Sequence, residues 1–161
     1  MSKNSLLIKH CDLIDGCTDS IQVNVDTLII DGKIEKISKN LSTSGNIKSI
    51  DMSGKTVLPG MIDTHVHLAF DGSADPVGAL LSENDHITLI KMVNNCHKQL
   101  RCGVTTVRDM GGPRELILAL RESWRKNILI GPRILASGEV ITSKGGHCHF
   151  LCSSADRRGH R

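Results

Sequence analysis

Tyrosine is absent, and Phe70, Phe150 and Trp124 make up the whole aromatic complement of this 161-residue chain. So few aromatic rings argue against a base-stacking platform for nucleic acid, and they leave any core to be built from aliphatic side chains. Hydrophobic residues still make up 39% of the sequence, enough for a packed core and too many for an intrinsically disordered chain. Long apolar runs are missing. Leu6-Leu7-Ile8, near Lys3 and Lys9, is too short for the apolar region of a signal peptide or for a membrane span. There is no internal repeat, no low-complexity tract and no strong charge of one sign. Twenty Lys and Arg against 17 Asp and Glu leave +3, part of it in the terminal Arg157, Arg158 and Arg161. Without a continuous basic stripe, neither nucleic acid nor a membrane surface is expected as a partner. Six cysteines at irregular spacings, with no export signal, read as reduced thiols of a cytoplasmic protein rather than as a disulfide framework.

Residues 5–58 read as short strands joined by turns. A first strand runs through Leu6-Leu7-Ile8-Lys9-His10 and ends near Asp15-Gly16. Thr27-Leu28-Ile29-Ile30 and Lys33-Ile34-Glu35-Lys36-Ile37 flank Asp31-Gly32, the dipeptide favoured in two-residue hairpins because both positions need positive φ. Ile34 and Ile37 break strict alternation, so the second arm is expected to carry a bulge or end early. Residues 42–46 read as a loop, 47–52 as another strand, and 56–58 as the approach to a second, differently patterned region.

After Pro59 strands and helices alternate, the pattern of a parallel sheet. Residues 70–83, with Gly72, Asp75, Pro76 and Gly78, read as a long strand-to-helix loop. Leu89, Val93, Cys96 and Leu100, with Ile90 alongside, place a helix over residues 85–101, closed by Gly103. Pro113 opens a second helix through Leu116, Ile117, Leu120 and Trp124.

The most informative segment is Pro59-Gly60-Met61-Ile62-Asp63-Thr64-His65-Val66-His67. In a strand, residues two apart share a face, so His65 and His67 converge with Asp63 beneath them, while Ile62, Thr64 and Val66 face the other way. Two imidazoles at a strand end form half of a metal site, because neutral imidazole is the commonest protein ligand for Zn and similar ions. Asp63 is a candidate to orient a ligand, or equally a structural hydrogen-bond acceptor.

The run Val57-Leu58-Pro59-Gly60-Met61-Ile62-Asp63-Thr64-His65-Val66-His67 resembles the first barrel strand of the amidohydrolase superfamily. Gly103-Val104-Thr105-Thr106-Val107-Arg108-Asp109-Met110-Gly111-Gly112 resembles the second strand and its loop. Gly131-Pro132-Arg133-Ile134-Leu135-Ala136-Ser137-Gly138, with Thr142-Ser143-Lys144-Gly145-Gly146-His147, resembles the third, most closely in the branch of imidazolonepropionase and the prolidase-like dipeptidases. The resemblance implies an α/β protein. Residues 1–58 would supply part of a β-sandwich, and residues 59–161 the first strands and helices of an incomplete (β/α)₈ (TIM) barrel, which in full takes about 250 residues. It also implies one or two divalent metal ions, most plausibly Zn, held first by His65 and His67. Further ligands and the acid–base aspartate would come from later strands that have no match here, so no catalytic residue is identified in the chain. His147 is implied as a contact to a substrate carboxylate or carbonyl, with a solvent-exposed loop histidine as the even alternative. Asp109 is a second substrate-contact candidate, although capping the turn through Met110-Gly111-Gly112 is the commoner role for such a residue.

His147-Cys148-His149 with Cys152 raises a separate zinc site, but the spacing matches no standard finger and a loop with free thiols is preferred. Cys11, Cys17, Cys96 and Cys102 read as small buried or half-buried residues. After Phe150 helical periodicity is lost, which reads as a frame interrupted near residue 152 or a cloning boundary. These readings leave two functional expectations. One is a metal-dependent hydrolase of a C–N bond in a cyclic amide or dipeptide, with this chain an inactive portion. The other is a non-catalytic metal-binding or association protein that pairs with itself, a homologue or a complementary chain.

Overall fold

The computed structural model describes residues 4–43 and 45–151. The chain divides into two compact units, Met1–Pro59 and Gly60–Arg161. The terminal segment read as an interrupted frame, with Cys152, lies outside the described residues.

The first unit is one sheet of five strands: β1 (Ser5–Leu13), β2 (Gln22–Ile30), β3 (Lys33–Ser38), β4 (Lys48–Asp51) and β5 (Thr56–Val57). Their order is β3-β2-β1-β4, with β5 also pairing β1. The hairpin between β2 and β3 turns where expected, with Asp31 at φ 50° and Gly32 at φ 76°. The broken alternation in β3 is a bulge. Leu28 faces Lys36 and Ile29 faces Ile34, so Glu35 is the extra residue. Cys11, Leu13 and Val25 form a small core flanked by Ile8, Ile37, Met52 and Val57. Beside it Asp26, 1% exposed, accepts hydrogen bonds from the His10 and Leu41 backbone N–H groups at 2.9 and 2.8 Å.

The second unit is a parallel three-stranded sheet, β6 (Met61–Val66), β7 (Val104–Asp109) and β8 (Arg133–Ala136), in that order. Its helices are α1 (Pro76–Ser82), α2 (Asp85–Arg101) and α3 (Arg114–Arg125). Helix α2 packs on β7, α3 packs on β8, and the two helices touch. The core they close includes Val66, Met92, Cys96, Val107, Ile117, Leu120 and Ile134. None of the described helices is long and apolar enough to cross a membrane.

Four local expectations change. The segment read as a loop over residues 70–83 contains α1, started by the Asp75 carboxylate, which accepts from Gly78 N–H at 2.8 Å, and by Pro76 at the first helical position. The buried stripe of α2 runs through Thr88, Met92 and Cys96, with Leu89 and Val93 flanking it. Ile90 points outward at 65% exposure. Cys17 and Cys102 are exposed rather than buried or half-buried; Cys11 and Cys96 are buried, and all five described cysteines are free thiols. Finally, alternation fails along β6. Met61 faces Val104, Ile62 faces Thr106, Asp63 faces Val107, and Val66 faces Asp109. An extra residue in β7 at Thr105 is followed by an extra residue in β6 between Asp63 and Val66. Ile62 is therefore 66% exposed while Val66, on the nominally identical face, is buried.

Gly60 belongs to the same arrangement. A Cβ at that position would lie 2.2 Å from the Thr105 side chain. The Pro-Gly sequence before β6 thus does more than turn the chain. It leaves room for the bulged residue of the neighbouring strand.

Candidate functional site

The bulge and strand end determine how the histidines are presented. His65 lies within β6, and His67 is the first residue beyond it. Their rings stand edge to face, 71° apart, with centroids separated by 5.4 Å. Two imidazoles sharing one tetrahedral zinc, with Zn–N bonds of about 2.0–2.1 Å, bring their centroids to about 5 Å. The observed separation fits that requirement.

The protonation of His67 follows from its neighbour. Nδ1 lies 2.7 Å from the Gly111 carbonyl oxygen. A carbonyl can only accept, so Nδ1 carries the proton and the Nε2 lone pair is left for a ligand. Metal-binding histidines are commonly held this way, with one ring nitrogen donating to a carbonyl or carboxylate and the other facing the ion. The donor chemistry of the pair is therefore suited to a divalent cation.

His65 is more exposed. Its backbone N–H donates to the Asp63 carboxylate at 3.1 Å, so Asp63 holds the strand end through the main chain. A cleft of about 260 Å³ gathers His65, His67 and His147 with Met110, Ser137, Val140, Ile141 and Cys148. Residues at or just beyond the ends of β6, β7 and β8 thus converge at one end of the parallel sheet, where βα loops build ligand sites. His147 shares this cleft and is exposed within it. Among the described residues no three His, Cys, Asp or Glu side chains are grouped so as to hold a metal, and this includes His147, Cys148 and His149.

Asp109 ends β7 and does not face the cleft openly. It is 1% exposed, and its two carboxylate oxygens accept from Gly111 N–H at 2.9 Å and Leu68 N–H at 2.8 Å. Burial pushes its carboxyl pKa up, against the pull of the two N–H donors and of His67. The turn-capping role weighed for this residue is what its oxygens perform. Arg108, its neighbour in β7, is exposed. Cys96 lies beneath in the core, where burial pushes its thiol up to about 12, with the Asp109 charge adding to the shift. Such a thiol is inert.

Sequence reading missed two residues that brace the loop after β6. Asn95 of α2 donates from Nδ2 to the Leu68 and Phe70 carbonyls at 3.0 and 2.8 Å. Lys91, one turn earlier, pairs with Asp71 at 3.1 Å and with Glu83. The available signal was a polar pair at helical spacing, Lys91 and Asn95, beside an otherwise apolar stripe.

A match to the amidohydrolase family spans residues 56–159. This chain belongs to the amidohydrolase family. It is 43% identical over 68 residues to a dihydroorotase of Trichlorobacter lovleyi, a stretch covering 42% of this chain and 16% of that enzyme. In three dimensions it resembles a Xaa-Pro dipeptidase solved with methionine in its active site, at TM-score 0.78 and 30% identity, over 90% of this chain and 36% of the dipeptidase. A prolidase solved with N-methylphosphonate-L-proline gives TM-score 0.76 and 26% identity, over 89% of this chain and 34% of the prolidase. The chain thus spans about a sixth of that curated relative and about a third of those solved structures. The α/β architecture, a sheet-rich unit followed by barrel-type strands and helices, is shared with these amidohydrolases.

Proposed function

We propose that this amidohydrolase chain supplies the first metal-binding strand of a hydrolase that cleaves a C–N bond in a dipeptide or cyclic amide. The observation that carries this reading is the His67 ring, fixed by the Gly111 carbonyl with Nε2 free and lying 5.4 Å from the His65 ring. His65 and His67 would hold one divalent cation, and their imidazole donors suit Zn. The chemistry such an ion would supply is a bound water of lowered pKa, about 7, and polarisation of the scissile carbonyl. The chain's own groups have other tasks. His147, which lines the same cleft, would donate to the substrate carboxylate or carbonyl. Met110 and Val140 give the cleft an apolar part beside the histidines. Asp63 fixes the main chain at His65. The likeness to a Xaa-Pro dipeptidase and a prolidase favours a dipeptide over the cyclic amide suggested by the dihydroorotase relative. Free thiols throughout the described residues are in keeping with a cytoplasmic protein.

The test has two stages. Zinc titration followed by calorimetry should show binding that is lost in His65→Ala/His67→Ala. The metal-loaded protein should then be given Xaa-Pro dipeptides and dihydroorotate. Absence of zinc binding by the folded chain would reject the reading at its root.

A second reading is favoured by the count of donors. Two histidines without a third metal-ligating partner among the described residues suit a metal-binding or association role without hydrolysis. Turnover by the metal-loaded chain alone would exclude it, and co-purification with a homologue or complementary chain would favour it.

A further inference from the structure

The cleft histidines are joined to the protein core through one carboxylate. Asp109 Oδ2 accepts from Leu68 N–H at 2.8 Å, and Leu68 is the residue directly after His67. Asp109 Oδ1 accepts from Gly111 N–H at 2.9 Å, and the Gly111 carbonyl receives the His67 Nδ1 proton at 2.7 Å. One buried side chain thus fixes the backbone of His67 from one side and the partner of its ring from the other.

Gly111 leaves little freedom in this linkage. Its φ is 129°, and a Cβ there would lie 2.8 Å from the backbone N and Cα of Val140. The segment after β7 is therefore held between Asp109 and Val140. A further tie, Met110 N–H to the Val66 carbonyl at 2.9 Å, keeps the two strand ends together.

We propose that Asp109 is a positioning residue for His67, selecting the tautomer with the proton on Nδ1 and the lone pair on Nε2. The inference rests on the reading of His67 as a ligand, but the tautomer can be measured without metal. Asp109 acts at two removes, through the main chain of Gly111, whose N–H it holds and whose carbonyl meets the ring, and through the Leu68 N–H. It touches neither ion nor substrate. Its burial explains why a carboxylate, rather than water, must satisfy both N–H donors.

Long-range proton–nitrogen NMR on the zinc-free chain at mildly alkaline pH reads the tautomer directly. The wild-type His67 ring should show a protonated Nδ1 and an unprotonated Nε2. In Asp109→Asn one carboxylate acceptor becomes an NH₂ group facing an N–H donor. His67 should shift toward the Nε2–H form, and zinc affinity should fall about 10–100-fold, as for other groups that orient a metal ligand. An Nε2–H tautomer in the wild type would overturn the proposal, and so would an unchanged tautomer in folded Asp109→Asn. If the variant does not fold, Gly111→Ala displaces the carbonyl while keeping the buried carboxylate, and the same tautomer shift is expected. A correct tautomer shift with no zinc binding at all would uphold the positioning role and reject the metal reading.

Discussion

Among the described residues each unit buries one aspartate that accepts two backbone N–H groups, and the two aspartates behave in opposite ways. Asp26 holds His10 and Leu41 in the N-terminal sheet; Asp109 holds Leu68 and Gly111 beside the candidate site. Both side chains are equally closed to solvent. The bonds around Asp26 nevertheless sit in a thin sheet and are partly open, whereas those around Asp109 are buried in an α/β core. Desolvation is the largest influence on each and raises both. At Asp26 it is outweighed by the two N–H donors and the nearby His10 and Lys9, so the pKa is lowered. At Asp109 desolvation wins and the pKa is raised. The same hydrogen-bonding device therefore makes an ordinary sheet brace in one unit. In the other it makes a rigid support for an imidazole.

The strongest way to break this comparison is to remove each carboxylate. Asp109→Ala leaves two buried N–H groups unpaired and should cost about 2–6 kcal/mol, measured by urea unfolding. Asp26→Ala, where water can reach the donors, should cost about 1–2 kcal/mol. Equal losses would remove the distinction. Next in size is the zinc response. His67→Ala should weaken zinc binding at least about 100-fold, while His10→Ala, on the Asp26 brace, should leave it unchanged in calorimetry. Gly60→Ala tests the packing that shapes β6. The 2.2 Å clash with Thr105 should cost about 1–3 kcal/mol, and Thr105→Gly in the same chain should recover part of it.

The smallest effect separates the two aspartates by acid. Asp26 has a lowered folded pKa, so its contribution is present above the usual carboxylate value of about 4 and fades as pH falls through the folded value. Asp51, held at about 2 by Ser53, and Asp15, lowered by the Cys17 and Thr18 N–H groups, add to the same acid limb. Asp109 has a raised folded pKa. Its contribution is greatest below about pH 4 and is lost as pH climbs through the folded value. Asp71, held down by Ser73 and Lys91, gives the second unit an acid limb of its own at the loop after β6. The contrast is therefore local: hydrogen exchange followed from neutral to acidic pH should show loosening around Asp26 before the strand ends around Asp109. The reverse order would mean that these carboxylates do not set the acid response.

Much of the fold was legible because its signals were local. Asp31-Gly32 announced the hairpin through its φ requirement, and Gly103 closed α2 at φ 82°. The span of α2 followed from helical spacing alone. The brief helix α1 was overlooked although Asp75-Pro76 is a start signal, since its short apolar content offered no period to read. The histidine pair was visible for the same local reason, two residues apart in a strand. What holds the pair was not. The link from Asp109 through Gly111 to His67 joins residues 44 apart in sequence at its last step. No spacing rule connects them, and the bulges that align their loops appear only once the strands are paired.

Those bulges have a consequence for how this segment tolerates change. The extra residue at Thr105 and the extra residue after Asp63 cancel, so Met61 to Val66 spans the same number of steps as Val104 to Asp109. The middle of the strand pair is slipped by one position, yet both ends meet in step. A one-residue deletion in either strand would leave the other offset uncompensated and carry one loop past its partner. Evolution can lengthen the loops at this end freely, but it can shorten these two strands only together.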